Sequence, residues 1–414
     1  MILLNLIPAT LRVIFTLIVI LFSASAASSQ TVNGTVVDER YFPVGRVTVE
    51  IEGQGTTATD TNGNFSIPVT KKPYNLTIVD QSSAIAVRYE GLTTMEPELK
   101  LFGLKSAKYS NTEALKVTFP EIPSGTSAII KFISQDLFYS TEAVATTGET
   151  TKIITVDWPK SKEFVSGFVI YISKTQDNYV RYYEYPVTIF RGSNVLQSAD
   201  LKFPGTTKNP GSSTITVFLP NYVYSNKGYA VYADFLGLNR NASILLSSAE
   251  ADIQSTKVLV PQNLPFAFRL KVSGNGYDKN GAGFTNYSYT SPNSVINLEN
   301  EDPPEILAPQ DKLYGVSGNT RFSYETGSGT GVYVAHFHSF YPEGDFYVVT
   351  RDRNITSPIS HSKGMISGNE YQWYVMKHMT YFNVDDFVKP LNFQNDMGYR
   401  AVSYSEKRVF RTGF

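Results

Sequence analysis

The chain has 414 residues, 36 Lys and Arg against 37 Asp and Glu, and no Cys. With net charge near zero and the basic residues scattered, it carries no footprint for nucleic acid or another polyanion, and no disulfide can staple a domain. Aromatic residues make up 13%, with 27 Tyr and 26 Phe against 18% charged residues. Tyr and Phe suit half-buried pleated faces, and no window carries a capped i, i+3, i+4, i+7 stripe, so the chain reads as all-β.

Arg12 precedes an apolar run, Val13 to Phe22, broken only by Thr16 and followed by Ala24-Ser25-Ala26. The run is too short to span a bilayer and Ala-x-Ala suits signal peptidase, so residues 1–29 are expected to be a signal peptide, with the mature chain starting near Ala27 to Gln30. An uncleaved anchor is the alternative, because Ile2 to Ile7 is also apolar. No Cys follows the run, which excludes a bacterial lipoprotein anchor. Absence of Cys from an exported chain also favours a bacterial origin.

From Thr31 to Ile78 apolar residues recur at strand period: Val47, Val49 and Ile51, then Phe65, Ile67 and Val69, then Tyr74, Leu76 and Ile78 after Pro73. Between the first two runs lies Thr59-Asp60-Thr61-Asn62-Gly63, where Asp60 can accept backbone hydrogen bonds and Gly63 can take a positive φ. The wording Val32-x-Gly34-x-Val36-x-Asp38, Pro43, Val47-x-Val49-x-Ile51-x-Gly53 and Thr57-x-Thr59-Asp60-x-x-Gly63-x-Phe65-x-Ile67 resembles the carboxypeptidase regulatory-like domain, a transthyretin-like β-sandwich. The resemblance covers Gln30 to Leu101 and departs from the family at Asp80-Gln81-Ser82-Ser83. It implies an accessory, non-catalytic module at residues 30–103, as found in exported and outer-membrane proteins of Bacteroidota-type bacteria. Later strands are expected at Ala84 to Tyr89 and Pro97 to Leu101.

Residues 104–198 offer strands at Leu115 to Phe119, Ala128 to Ile133, Lys152 to Trp158, Phe164 to Ile172 and Tyr179 to Ile189. Residues 199–298 offer Thr214 to Leu219, Tyr229 to Phe235, Val258 to Pro261 and Phe266 to Val272. Both read as β-sandwiches of unassigned family. In the former, Tyr179, Arg181, Tyr183 and Tyr185 are expected on one strand face. If exposed, that face would be a ligand-binding platform for sugar rings or a peptide; if packed on a neighbour, it is structural.

Asn297 to Pro304 is an acidic, proline-ended linker. Beyond it, Ile306-Leu307-Ala308-Pro309, Gly368-x-x-Tyr371-x-Trp373 and Ser405-x-x-x-x-Phe410-x-Thr412 resemble a fibronectin type III domain over residues 303–414, with Tyr324 where a Trp is usual and an unusual insertion around Phe382 to Asp396. The expected fold is therefore all-β, tandem β-sandwich domains, transthyretin-like and then immunoglobulin/fibronectin III-like.

Catalytic motifs are sparse. None of the four histidines (His336, His338, His361 and His378) is followed by Glu at zinc-carboxypeptidase spacing. His336 and His338 would share a strand face and could bind a metal if a third ligand converged, but spacing fixes none, so they read as sheet-surface residues. Ser360-His361-Ser362-Lys363 matches the Ser-x-x-Lys nucleophile pattern without the helix or downstream motifs that chemistry needs. Asp385-Asp386 and Glu299 with Glu301 sit in a loop and a linker, and Asp60 to Gly63 and Asp278 to Gly281 lack the further ligands of a calcium loop and read as turns. No cofactor or metal is expected. The chain thus reads as a non-enzymatic, exported bacterial envelope protein of the periplasm, cell surface or exterior. It would act as a structural, adhesive or scaffolding string of modules with extended spacing, and its partners would be other envelope proteins or surface polysaccharide. A carbohydrate-binding surface protein is the alternative.

Overall fold

A computed structural model describes residues 30–413, apart from 105–109, 136–141, 194–195, 204–207, 220–223, 225, 237–240, 251–253, 265–267, 300–301, 326–328, 357–365 and 391–399. The expected signal peptide and the Ser360 to Lys363 stretch lie outside the described residues, as does Glu301. The fold is nearly all β, built as four sandwich modules.

Module 1 comprises β1 (Gln30–Val37), β2 (Thr48–Ile51), β3 (Gly55–Ala58), β4 (Asn64–Val69), β5 (Tyr74–Asp80), β6 (Ile85–Leu92) and β7 (Glu98–Lys100). Module 2 comprises β8 (Ser110–Thr118), β9 (Ser127–Ser134), β10 (Ala143–Ala145), β11 (Thr151–Pro159), β12 (Phe164–Lys174), β13 (Tyr179–Phe190) and β14 (Gln197–Asp200). Module 3 comprises β15 (Ser212–Phe218), β16 (Asn226–Leu236), β17 (Asn241–Glu250), β18 (Ser255–Pro261), β19 (Phe268–Tyr277), β20 (Gly283–Thr290) and β21 (Val295–Asn297). Module 4 comprises β22 (Glu305–Ala308), β23 (Leu313–Val316), β24 (Arg321–Glu325), β25 (Val332–Phe340), β26 (Glu343–Thr350), β27 (Asn354–Thr356), β28 (Glu370–Met379), the short helix α1 (Val384–Phe387), β29 (Arg400–Tyr404) and β30 (Arg408–Thr412).

Modules 1 to 3 repeat one strand order. In each, the first strand lies between the fourth, antiparallel, and the seventh, parallel, giving β4–β1–β7, β11–β8–β14 and β18–β15–β21. The facing sheets are β3–β2–β5–β6, β10–β9–β12–β13 and β17–β16–β19–β20. Because β14 completes the module 2 sandwich through Asp200, the expected boundary at 198 falls inside a strand. Module 4 sets β22–β24–β27 against a sheet of β26, β25 and β28, with β29 and β30 both on the far side of β28.

The turn chemistry read from the sequence is present. Asp60 Oδ1 accepts the backbone N–H groups of Asn62 and Asn64, both at 2.8 Å, and Gly63 has φ 78°. A Cβ on Gly63 would lie 2.5 Å from the Val36 carbonyl oxygen, so glycine is required there for space as well as for φ. Asp278 Oδ1 repeats the arrangement with Asn280 N at 2.7 Å and Ala282 N at 3.0 Å. In each turn one carboxylate oxygen accepts two backbone N–H groups.

The modules are not spaced beads. β20 pairs antiparallel with β29, and β26 pairs parallel with β6, so modules 3, 4 and 1 share one 14-stranded sheet. The expectation of extended spacing is corrected by this edge-to-edge pairing, which satisfies backbone groups that separate modules would leave on open edges. Cores merge too. Val332, Val334, Tyr347 and Val349 of module 4, with Val384, Phe387 and Val388 at α1, pack into the module 1 core. Ile129, Ile133, Ile170 and Ile172 of module 2 pack into the module 3 core. At the outer edge of the large sheet, module 2 side chains cap β17: Lys131 and Lys174 donate to the Ser243 and Leu246 carbonyls, and Glu142 accepts the Leu245 N–H. Arg40 and Asp157 join modules 1 and 2 at 3.1 Å.

Candidate functional site

The four residues singled out on β13 do not form one exposed row. A register shift where β12 pairs β13, beside Ser173 and Lys174, puts Tyr179 on the same side as Tyr182, and both are buried against module 3. Tyr183 and Tyr185 are half-buried on the module 2 core. Arg181 lies 4.8 Å over the Phe203 ring, which Tyr183 meets edge-on at 5.4 Å. The expectation of a shared face is thus corrected: a bulge flips side-chain alternation, and the two faces go to two different cores.

The described residues bring titratable groups together on the outer face of the module 4 sheet, the face turned toward module 1. β25 alternates strictly, with Tyr333, Ala335 and Phe337 in the module 4 core and Val332, Val334, His336 and His338 on the other side. The β25–β26 hairpin places His338 opposite Asp345 and His336 opposite Tyr347. One carboxylate oxygen, Asp345 Oδ1, lies 2.7 Å from His336 Nε2 and 2.9 Å from His338 Nδ1. Asp345 is held in turn by its backbone N–H, which donates to the Ala84 carbonyl at 3.0 Å across the module 1 seam.

Aromatic side chains wall the cluster. Tyr347 stacks on His336 at 4.2 Å with planes 2° apart, Tyr374 from β28 meets it edge-on at 5.1 Å, and Phe340 meets His338 edge-on at 4.7 Å. The His336, His338 and Asp345 side chains retain 12%, 25% and 20% of their surface, so the cluster is lined but open at its rim. Burial raises the proton affinity of Asp345, but the hydrogen bonds and charges of His336 and His338 outweigh it and hold the carboxyl below its usual range. Burial, with the Asp345 charge adding, pushes the Tyr374 hydroxyl up to about 12 and that of Tyr347 further. Both phenols are therefore neutral hydrogen-bonding groups at ordinary pH.

Deeper in the same seam, burial pushes His378 down to about 3, with the Lys100 charge adding. Its Nε2 is buried with no hydrogen-bond partner, and Phe387 covers the ring edge-on at 5.1 Å. Lys100 is itself lowered by burial and donates to the Tyr41 hydroxyl at 3.1 Å. Asp385, expected in a loop, instead ties α1 to module 1 by accepting the N–H groups of Thr93 at 2.8 Å and Thr94 at 3.0 Å. Asp386 pairs with Lys389 at 2.7 Å, and its N–H is capped by Asn383.

Sequence reasoning found His336 and His338 and missed Asp345. The signal was the hairpin: a two-residue connection at Tyr341-Pro342 fixes the register that sets Asp345 opposite His338. Two imidazoles and one carboxylate on a rigid hairpin form a donor set suited to a first-row divalent ion. No protein-family model matches the chain, and no curated protein matches it.

Proposed function

We propose that this is a non-enzymatic, exported protein of a bacterial envelope that serves as a rigid scaffold rather than a string of spaced modules. The single observation that supports this reading most is the continuous sheet running through modules 3, 4 and 1, with module 2 clamped onto its outer edge. Strand pairing between modules costs the chain its hinges, because relative motion would break ladder hydrogen bonds as well as bury less apolar surface. Such a body holds partners at fixed separation and orientation. Among the described residues no helix is long and apolar enough to cross a membrane. The alternative, a surface protein that grips polysaccharide, draws no support from Tyr179, Arg181, Tyr183 and Tyr185, since Tyr179 is buried between modules and the other three lean on the module 2 core.

The test is fractionation of a Bacteroidota-type bacterium producing the tagged chain, with in-cell cross-linking. The expected result is a processed form starting near Ala27 to Gln30, in the envelope fraction and cross-linked to envelope proteins. Full-length protein confined to the cytosol would refute the reading. Glycan-array binding lost on Tyr183→Ala would favour the alternative.

A further inference from the structure

We propose that His336, His338 and Asp345 form a binding site for one zinc-class divalent ion, which clips the β25–β26 hairpin at the seam between modules 4 and 1. The site goes beyond the scaffold reading and stands or falls independently of it. The donor atoms lie within 4.8 Å of one another. Two ring nitrogens on adjacent inward positions of one strand converge on a single oxygen of the facing strand, at 2.7 and 2.9 Å. Tetrahedral zinc sites, with bonds of about 2.0–2.2 Å, set donors a little over 3 Å apart. An ion would therefore enter by replacing the protons of the two N–H···O bonds, lengthening the two nitrogen–oxygen separations by about half an ångström while the two ring nitrogens, within 4.8 Å of each other, take up the same spacing.

Several features make this a prepared site rather than a chance ion pair. Tyr347 stacks on His336 and Tyr374 meets it edge-on, so the ring plane is held from two directions. The backbone of Asp345 is pinned by the parallel ladder to β6, so the carboxylate cannot drift with the hairpin. His338 and Asp345 are the more exposed members, which leaves the fourth coordination position facing solvent, and exposed Glu343 stands on the same strand face two residues nearer the turn. Imidazole nitrogens select a first-row transition ion over calcium or magnesium, which want oxygen donors alone. The location gives the ion a role. β26 is the strand that receives module 1, and an ion held by His336, His338 and Asp345 would fasten it to β25 within module 4.

The experiment uses the full mature chain, stripped with chelator. Zn²⁺ is titrated by calorimetry, and Co²⁺ by its visible ligand-field bands. The expected result is one equivalent bound, with Co²⁺ bands of low-symmetry four- or five-coordination. Affinity should fall about 100-fold or more in both His338→Gln and Asp345→Asn. At zinc one hundred times its dissociation constant, the unfolding equilibrium should shift about a hundredfold toward the folded chain, and the variants should lose that shift. No stoichiometric binding by a folded wild-type chain would overturn the proposal, as would binding that both variants retain. Should Asp345→Asn fail to fold, the rim variant His338→Gln decides alone.

Discussion

Phe322→Ala tests the packing that holds module 4, and through it the shared sheet. Phe322 is fully buried, and its ring meets Phe337 at 5.1 Å, Trp373 at 5.0 Å and Phe410 at 5.2 Å, all edge-on. Truncation removes a whole buried ring and leaves a cavity walled by β25, β28 and β30, none of which can collapse without breaking sheet pairing. The cost should be about 3–5 kcal/mol, toward the upper end because three aromatic pairs are lost at once. With a urea slope of about 2 kcal/mol/M, the midpoint should fall by roughly 1.5–2.5 M. The chain has two Trp, Trp158 in module 2 and Trp373 beside Phe322, so a Trp158→Phe background makes fluorescence report module 4 alone. A midpoint change below about 0.5 M would refute the reasoning, since it would mean that the ring is not packed as described.

Three further outcomes follow from the seams. The His378 pKa is depressed from 6.5 to about 3, so the unfolded chain takes the proton first: this contribution is whole above about pH 6.5 and is lost as pH falls toward 3. One titrating proton caps the slope at about 1.4 kcal/mol per pH unit, residual solvent contact of the half-buried residue should hold it below that, and urea midpoints across pH 4 to 7 should flatten in His378→Leu. Lys131→Ala leaves the Ser243 carbonyl and Glu142 without their buried partner and should cost about 2–4 kcal/mol, read as faster amide exchange in β17. Unchanged exchange there would contradict the capped edge. Asp385→Ala removes the acceptor for two module 1 amides and should cost about 1–3 kcal/mol, seen as faster exchange at Thr93 and Thr94; a thermally neutral variant would count against that tie.

Much of the fold was legible where one strand face is buried. Val47, Val49 and Ile51, or Phe65, Ile67 and Val69, announce their strands by alternation, and Asp60 and Gly63 announce the turn between two of them. β17 was not legible. Its Ala-Ser-Ile-Leu-Leu-Ser-Ser-Ala run has little strand propensity, and it is held by pairing with β16 and by Ala242, Ile244 and Leu246 in the core. β20 was not among the expected strands although five of its eight residues are Phe, Tyr or Thr; it is held by strand pairing on both sides. The module contacts were hidden for a related reason: β6 and β26 each look like the last strand of their own sheet, and only three dimensions show one edge meeting the other. At the candidate site, strand period gave the pair His336 and His338. Asp345 required the hairpin register, and the failure of the Tyr179 to Tyr185 row came from a bulge that no residue pattern marks.

Amide exchange across the β6–β26 ladder tests the fused sheet most directly. The register runs from Asp345 opposite Ile85 to Val349 opposite Tyr89, and Asp345 N donates to the Ala84 carbonyl. Alternation then points the amides of Asp345, Tyr347 and Val349 at β6, and those of Phe346, Val348 and Thr350 at β25. If modules 1 and 4 form one sheet, the two sets exchange at the same slow rate, set by global unfolding. Exchange of the Asp345, Tyr347 and Val349 set orders of magnitude faster than its neighbours would show the modules parting at this seam, and would contradict the rigid scaffold.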